Sequence, residues 1–240
     1  MSLLRVKSNG LGWAKIFSDF NSLFFPEFCL GCSSSLVQGE DILCTGCILD
    51  MPRTGYHLAD SNPVAEKFIG RLPVKHAWAF LKFRKTGMVQ HLLHQLKYNN
   101  QPEVGIRLGK LFGRELNDSG KNEFDLIIPV PLHPARLRTR GYNQSAKFSE
   151  GLGASLNVPF SEGISVRRNN TQTQTKKNKT ERWDNVSQAF DIKDGEVIKG
   201  KRVLLVDDII TTGATLEACG QQLLEGGCKE LSIACIAEAQ

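Results

Sequence analysis

Between Lys201 and Leu216 the chain reads KRVLLVDDIITTGATL, and no other stretch restricts the fold as much. Val203, Leu204, Leu205 and Val206 are apolar without polar alternation, the pattern of a strand covered on both faces of a parallel sheet. Asp207 and Asp208 follow at its carboxyl end, where open α/β sheets bind their ligands. Thr211-Thr212-Gly213-Ala214-Thr215 then leads into a helical pattern from Ala214 to Leu224. The first amides of a helix lack intrahelical acceptors and sit at its positive end, so this turn is expected to receive a phosphate. Either half alone has an ordinary explanation, as a strand running into a solvated loop or as a simple N-cap. Joined, they point to one kind of ligand: adjacent carboxylates accept hydrogen bonds from the vicinal hydroxyls of a ribose while the turn holds a phosphate on the same sugar. No Gly-Lys-Ser/Thr follows, which excludes a Walker loop.

The same grammar occurs earlier. Phe124 to Ile128 reads as a short buried strand, Pro129 to Tyr142 as an irregular loop, and Asn143 to Leu156 as a helix with apolar Ala146, Phe148, Leu152 and Leu156. Strand, loop, helix is the α/β repeat, with the loop at the carboxyl edge of the sheet. That loop carries Arg136, Arg138 and Arg140. A solvated basic surface is one reading; at the end of a core strand, guanidinium forks matching phosphate oxygens make a second anion site the better one. Upstream, Ala77 to Phe83 reads as a strand that forms a hairpin or small flap with the residues before it. Helical spacing runs from Met88 to Tyr98 and from Val104 to Leu116, while Tyr56 to Leu72 is a turn-rich connector. His91 and His94 share a helix face but lack matching carboxylates, so they read as a half-exposed surface rather than metal ligands.

Cys29-Leu-Gly-Cys32 and Cys44-Thr-Gly-Cys47 are separated by eleven residues. Each CxxC knuckle presents two thiolates, and the pair completes a tetrahedral structural zinc site with no open position for catalysis. So small a segment buries little apolar surface, and the metal is expected to supply most of its folding free energy. A redox dithiol needs only one CxxC. Cys219, Cys228 and Cys235 read as small apolar residues without a catalytic role. No apolar run approaches the roughly 20 residues that cross a bilayer, and MSLLRVKSNG lacks a signal-peptide core, so a cytoplasmic location is expected. Trp13 to Phe25 has the spacing of an amphipathic helix.

Val166 to Arg182, VRRNNTQTQTKKNKTER, has no apolar period and reads by composition as a solvated loop. The formal charge of +5 matters less than its clustering at Arg136–Arg140 and again from Arg167 to Arg182. Such clusters suit a polyanion, either a small phosphorylated ligand or a nucleic acid; Tyr142 and Trp183 beside them are candidate stacking residues, with a buried core role the more ordinary reading of both.

Four apolar residues, Asp-Asp, two apolar residues and Thr-Thr-Gly-Ala-Thr resemble the phosphoribosyl-pyrophosphate (PRPP) motif of type I phosphoribosyltransferases. Together with Pro-Val-Pro-Leu-His, Arg-x-Arg-Gly-Tyr-Asn-Gln-Ser, Glu181-Arg182, Asn185 and Phe190, they resemble the ComF family of competence-associated proteins over about residues 26 to 240. The resemblance implies an α/β type I phosphoribosyltransferase fold, a parallel sheet flanked by helices, with a small N-terminal zinc-ribbon module. It implies the four-cysteine module at 26–56 and the phosphoribosyltransferase-like domain at 57–240, following the N-terminal amphipathic helix that apolar spacing assigns to 1–25. Carried over, Asp207 and Asp208 contact the ribose hydroxyls and serve as the catalytic pair. Thr211, Thr212, Gly213, Ala214 and Thr215 wrap the 5-phosphate, with Arg136, Arg138 and Arg140 binding pyrophosphate. Arg167, Thr171, Gln174 and Arg182 are the corresponding lid positions. Implied cofactors are structural zinc on Cys29, Cys32, Cys44 and Cys47, and magnesium arriving with PRPP. Single-stranded DNA and other competence proteins are the implied partners. A nucleic-acid-handling scaffold without catalysis and a nucleobase salvage transferase are the alternatives, the latter weakened by the zinc module.

Overall fold

The computed structural model describes residues 26–167 and 190–239. The helix expected at 13–25, the lid positions Thr171, Gln174 and Arg182, and Trp183 lie outside the described residues. The chain divides into two compact units, one ending at Leu49 and one beginning at Asp50.

The first unit is a pair of knuckles. An antiparallel bridge between Phe28 and Ser35 closes the first, with Cys29 N–H donating to the Ser34 carbonyl and Ser33 N–H to the Cys29 carbonyl, each at 2.8 Å. The second opens helix α1 (Thr45–Leu49), which carries Cys47.

The second unit is built on four strands, β1 (His76–Phe83), β2 (Leu126–Pro129), β5 (Arg202–Ile210) and β6 (Glu230–Ala239). They lie in the order β1-β6-β5-β2, with every pairing parallel. The expected flap at Ala77–Phe83 is therefore corrected: β1 is a member of the main sheet, since a strand apolar on both sides must be covered on both sides. Its outer edge is lined by residues 52–54, through Thr54 N–H to Phe80 O and Lys82 N–H to Pro52 O. At the other end the backbone of Pro159 and Ser161 pairs with Ile127. A separate antiparallel pair, β3 (Ser165–Arg167) and β4 (Phe190–Ile192), stands apart from this sheet. Short helices α2 (Pro63–Glu66) and α7 (Gly195–Ile198) complete the connections around helices α3 (Met88–Tyr98), α4 (Pro102–Asp118), α5 (Pro134–Arg140), α6 (Gln144–Leu156) and α8 (Ala214–Glu225).

Both faces of the sheet are dry. Ala77, Ala79, Leu126, Ile128, Val203, Leu205, Ile233 and Cys235 share one buried cluster with Leu216, Cys219 and Leu223 of α8. A second stack runs from Phe80 of β1 through Phe112 of α4 to Phe148 of α6, with ring centroids 5.1 and 6.4 Å apart. Helices α4 and α6 touch backbone to backbone. Gly105, Gly109 and Gly113 fall on one face at every fourth residue, and a Cβ on Gly109 would stand 2.2 Å from the Phe148 carbonyl oxygen. Three interior glycines weaken a helix by propensity; here close approach explains them.

At the amino end of the sheet, Asp125 takes three hydrogen bonds from Arg202: its N–H and Nε on Oδ2 at 2.8 and 3.1 Å, and Nη2 on Oδ1 at 2.8 Å. These bonds from Arg202 hold the Asp125 carboxyl down at about 2. A depressed carboxylate stabilises the fold above its unfolded value near 3.8 and loses that contribution as pH falls through about 2. The pair is more than a third exposed at Asp125, so solvent screening limits the cost of Asp125→Asn to about 1 kcal/mol at neutral pH. Urea denaturation at pH 7 and at pH 2 is expected to show that gap closing in acid. A gap unchanged by pH would show that the carboxylate charge contributes nothing.

Candidate functional site

From β2 the chain passes outward through α5 and α6 to the edge segment at 159–161, whereas from β5 it passes inward through α8 to β6. Adjacent strands that wind in opposite directions open a crevice at their carboxyl ends, the switch point where sheets of this kind bind ligands. Both segments singled out in the sequence end there.

Strand β5 continues beyond Val206. Its ladder with β6 runs on to Ile210 opposite Glu238, so the acidic pair lies within the strand rather than after it. Asp207 Oδ1 accepts the Ser145 hydroxyl at 3.0 Å and the Asp208 N–H at 2.8 Å. Asp208 Oδ1 accepts the Ile209 N–H at 2.6 Å, and its Oδ2 pairs with Lys97 Nζ at 2.7 Å. Ser145 is aimed by Asn143, which caps α6 by accepting the Ser145 N–H and donates to the Val130 carbonyl at the end of β2. The Asp207 carboxyl is raised to about 7, first by burial and then by the charge of Asp208; the Asp208 N–H, the Ser145 hydroxyl and Lys97 oppose the shift.

The turn after β5 is braced from behind. Gly213 has φ of 81°, and a Cβ there would meet the Phe68 ring at 3.2 Å, so both conformation and space call for glycine. Arg71 donates to the Thr212 carbonyl at 3.1 Å and pairs with Glu217 in the first turn of α8. A trans peptide points its N–H opposite its C=O. With the Thr212 carbonyl held by Arg71, the Gly213 N–H faces the other way. The amides of Thr211, Thr212 and Gly213 have no acceptor among the described residues. Thr212 Oγ1 reaches the Ala214 N–H at 3.4 Å, and Thr215 lies in the first turn of α8.

The basic segment is not an irregular loop. Pro134 to Arg140 is a helix, capped by His133 Nδ1 on the Ala135 N–H and ended by left-handed Gly141 at φ 80°. Proline at the first turn and glycine just past the last were the available signal. Arg136 and Arg138 are exposed, while Arg140 donates to Gln144 at 2.8 Å and lies over the Tyr98 ring at 5.2 Å. Arg167, half-buried on β3 and 5.5 Å over Phe190, has its pKa lowered first by burial and then by the charge of Arg136, with Asp207 opposing. Arg136, Arg167 and Asp207 thus share one electrostatic neighbourhood, while Arg138 points to no such partner among the described residues. Tyr142 takes the packing role and not the stacking one: it is half-buried, and its hydroxyl donates to the Leu96 carbonyl.

Lys97, Ser145 and Arg71 carry site roles that sequence pattern missed. Lys97 did leave a trace, standing four residues after buried Leu93 on the apolar stripe of α3. His91 and His94 are exposed on the opposite side, against Gln95 and Tyr98. Burial pushes the Cys219 and Cys228 thiols up to about 12 and 11 and raises the Cys235 thiol well above its ordinary value, which disfavours the thiolate at all three.

In the first unit the Sγ atoms of Cys29, Cys32, Cys44 and Cys47 lie within 4.8 Å of one another, with Cys32 and Cys44 3.7 Å apart. A tetrahedron with Zn–S bonds of about 2.3 Å has edges of about 3.8 Å, so the donor set fits zinc. Backbone N–H groups of Gly31 and Cys44 point at the Cys29 sulfur and that of Cys47 at the Cys44 sulfur, from 3.2 to 3.4 Å, as suits thiolates. A Cβ at Gly31 would come within 2.8 Å of the Cys47 sulfur.

A parallel sheet with this switch point and acidic strand end defines a domain of the phosphoribosyltransferase class, and the phosphoribosyl transferase domain family matches residues 94–240. Competence protein F of Haemophilus influenzae is 29% identical over 231 residues, spanning 90% of this chain and 99% of the relative. DNA utilization protein YhgH of Escherichia coli K12 is 30% identical over 149 residues, 60% of this chain and 65% of the relative. A glutamine PRPP amidotransferase from B. subtilis aligns in structure over 60% of this chain and 30% of that chain, at 21% identity and a TM-score of 0.42. The chain belongs to the ComF family, and in it a four-cysteine cluster precedes the matched phosphoribosyl transferase domain. Among the described residues no helix is long and apolar enough to cross a membrane.

Proposed function

We propose that the crevice between β2 and β5 binds PRPP, or a related 5-phosphoribosyl ligand, and that the protein acts in the cytoplasm in the handling of incoming DNA. One observation carries the ligand reading: the unpartnered amides of Thr211–Gly213 stand next to an acidic pair whose Asp207 Oδ2 has no partner among the described residues. Amides and helix start take the 5-phosphate, and the carboxylates take the sugar hydroxyls. Arg136 and Arg167 are placed to meet the pyrophosphate, with Arg140 set back against Tyr98 and Gln144.

Oxygen donors of this kind suit Mg2+, which Asp207 and Asp208 would hold together with ligand oxygens; when bound it would supply charge neutralisation of the departing pyrophosphate. In this reading no protein nucleophile takes part. The chain's residues work by placing the anomeric carbon and by facing negative charge toward the oxocarbenium-like state that develops as pyrophosphate leaves. The names of the two relatives, a competence protein and a DNA utilization protein, support the link to DNA. Exposed Arg136 and Arg138 favour a second reading in which single-stranded DNA tracks the same edge and the fold serves as a ligand-regulated scaffold.

The double substitution Asp207→Asn with Asp208→Asn is expected to weaken PRPP binding by about 100-fold, the loss of two charge-assisted contacts, while circular dichroism shows a folded domain. Calorimetry finding unchanged affinity would sink the assignment. Pyrophosphate release from PRPP with an added nucleobase favours the enzyme reading. Salt-sensitive retention of single-stranded DNA without turnover favours the scaffold.

A further inference from the structure

Lysine is almost never buried unless it is paired. Lys97 is only 17% exposed, and its one ion pair among the described residues is with Asp208 Oδ2. The end of α3 is held firmly. The Leu96 carbonyl takes the Tyr142 hydroxyl, the Tyr98 ring lies under the Arg140 guanidinium, and the Asn99 N–H closes the helix on the Gln95 carbonyl at 3.2 Å. Arg140 and Tyr142 belong to the segment that continues to Ser145, whose hydroxyl reaches Asp207. Two elements therefore approach the acidic pair as one frame, α3 bringing a cation to Asp208 and α6 bringing a hydroxyl to Asp207.

This frame leaves part of the acidic pair open. Asp207 Oδ1 and Asp208 Oδ1 are taken by Ser145 and by strand amides. Asp207 Oδ2 has no partner among the described residues, and Asp208 Oδ2 has only Lys97. Each carboxylate oxygen has two acceptor sites. Asp208 Oδ2 can therefore take a sugar hydroxyl and keep Lys97 at once. The pair presents two outward oxygens while one of its two charges is already matched.

We propose that Lys97 is a positioning residue of the ligand site, a resident counter-cation that lets Asp207 and Asp208 take the ribose hydroxyls of a 5-phosphoribosyl ligand without a divalent metal ion. This rests on the reading of the crevice given under Proposed function and adds to it. The sugar-phosphate half of the ligand binds on the chain's own charges, and a metal requirement arises only with the pyrophosphate. Without Lys97 two adjacent, half-buried carboxylates stand uncompensated, and a divalent ion then has to hold them in place for the sugar.

Titration calorimetry with ribose 5-phosphate, in EDTA and in saturating Mg2+, tests this on the full chain. Wild type is expected to bind with affinities that agree within about threefold in the two buffers. Lys97→Gln is expected to bind at least about tenfold more weakly in EDTA, the scale of one lost charge pair at intermediate dielectric, and to recover in Mg2+. Lys97→Arg is expected to bind without metal as wild type does, and Lys97→Met, which keeps the aliphatic stem, stands in if the glutamine variant does not fold. Full affinity of Lys97→Gln in EDTA overturns the proposal, as does wild-type binding that needs Mg2+. A loss in Lys97→Gln that Mg2+ does not repair reduces Lys97 to a structural brace and overturns it too. If wild type binds neither ribose 5-phosphate nor PRPP in either buffer, the reading of the crevice itself fails and Lys97 falls with it.

Discussion

Replacing Cys47 with serine is expected to strip the first unit of zinc and unfold residues 29–47. The reason is how little else holds that unit together. Among residues 26–49, only Cys29, Leu43 and Cys47 are buried, and two of those three belong to the four-cysteine cluster. A core of one leucine contributes about 2 kcal/mol, whereas structural zinc in small Cys sites contributes roughly 10–16 kcal/mol of apparent binding free energy at neutral pH. Remove one thiolate and the chelate loses a quarter of its donors, with no hydrophobic reserve behind it. Atomic absorption should find zinc in the wild type and background in the variant, and amide hydrogen exchange should show loss of protection at Cys29, Leu30 and Ser33. Those amides are bonded to the Ser34, Ile42 and Cys29 carbonyls in the intact knuckles. Retained protection in a zinc-free variant would show that the knuckles fold by themselves.

Gly151→Ala is expected to destabilise the second unit by about 4 kcal/mol, near the top of the range for single substitutions. A Cβ at Gly151 would stand 2.1 Å from the Ile106 carbonyl oxygen and 2.8 Å from the Lys110 amide nitrogen. Both are helix backbone, so nothing can swing aside; α4 and α6 must separate. Separation loosens the Phe80–Phe112–Phe148 stack that covers one face of the sheet. Gly109→Ala should cost as much, and the double variant should cost less than the sum, because one displacement relieves both clashes. Chemical denaturation of the three variants checks this. Strict additivity would mean that the helices adjust locally and not as a pair.

The parts of the fold that could be read in the chain were those encoded by neighbours in sequence. Val203–Val206 announces a two-sided strand because no polar residue interrupts it, and the CxxC pairs announce a chelate by spacing alone. What stayed hidden was long-range. Nothing local distinguishes β1 as a partner of β6 from β1 as a hairpin arm, because the two share apolar content and differ only in which strand lies alongside. Lys97, Arg71 and Ser145 reach the crevice from α3, from the turn after α2 and from the start of α6, and each looks like an ordinary polar residue in its own element. Helix α5 was a local miss: Pro129 to Tyr142 read as an irregular loop carrying an anion site, although a proline and a glycine bracket the helix. The glycines of α4 showed their four-residue interval plainly, but only the position of α6 gives that interval a meaning.

The strand order has a consequence for how the molecule is made. β6 lies between β1 and β5, yet it follows β1 by some 150 residues. Until Glu230–Ala239 has been synthesised, β1 has no inner neighbour and β5 has β2 on one flank only. β1 therefore waits with an unpaired inner edge while some 150 residues are added, and β5 waits only from Ile210 to Glu230; an unpaired apolar strand is the condition under which nascent chains associate wrongly. Joining β1 to the rest also closes a very large loop, which places the second unit among slow, high-contact-order folders. Segments 52–54 and 159–161 guard the outer margins of the finished sheet, but the vulnerable gap during biogenesis is at its centre, and it is filled by the last of the four strands in chain order.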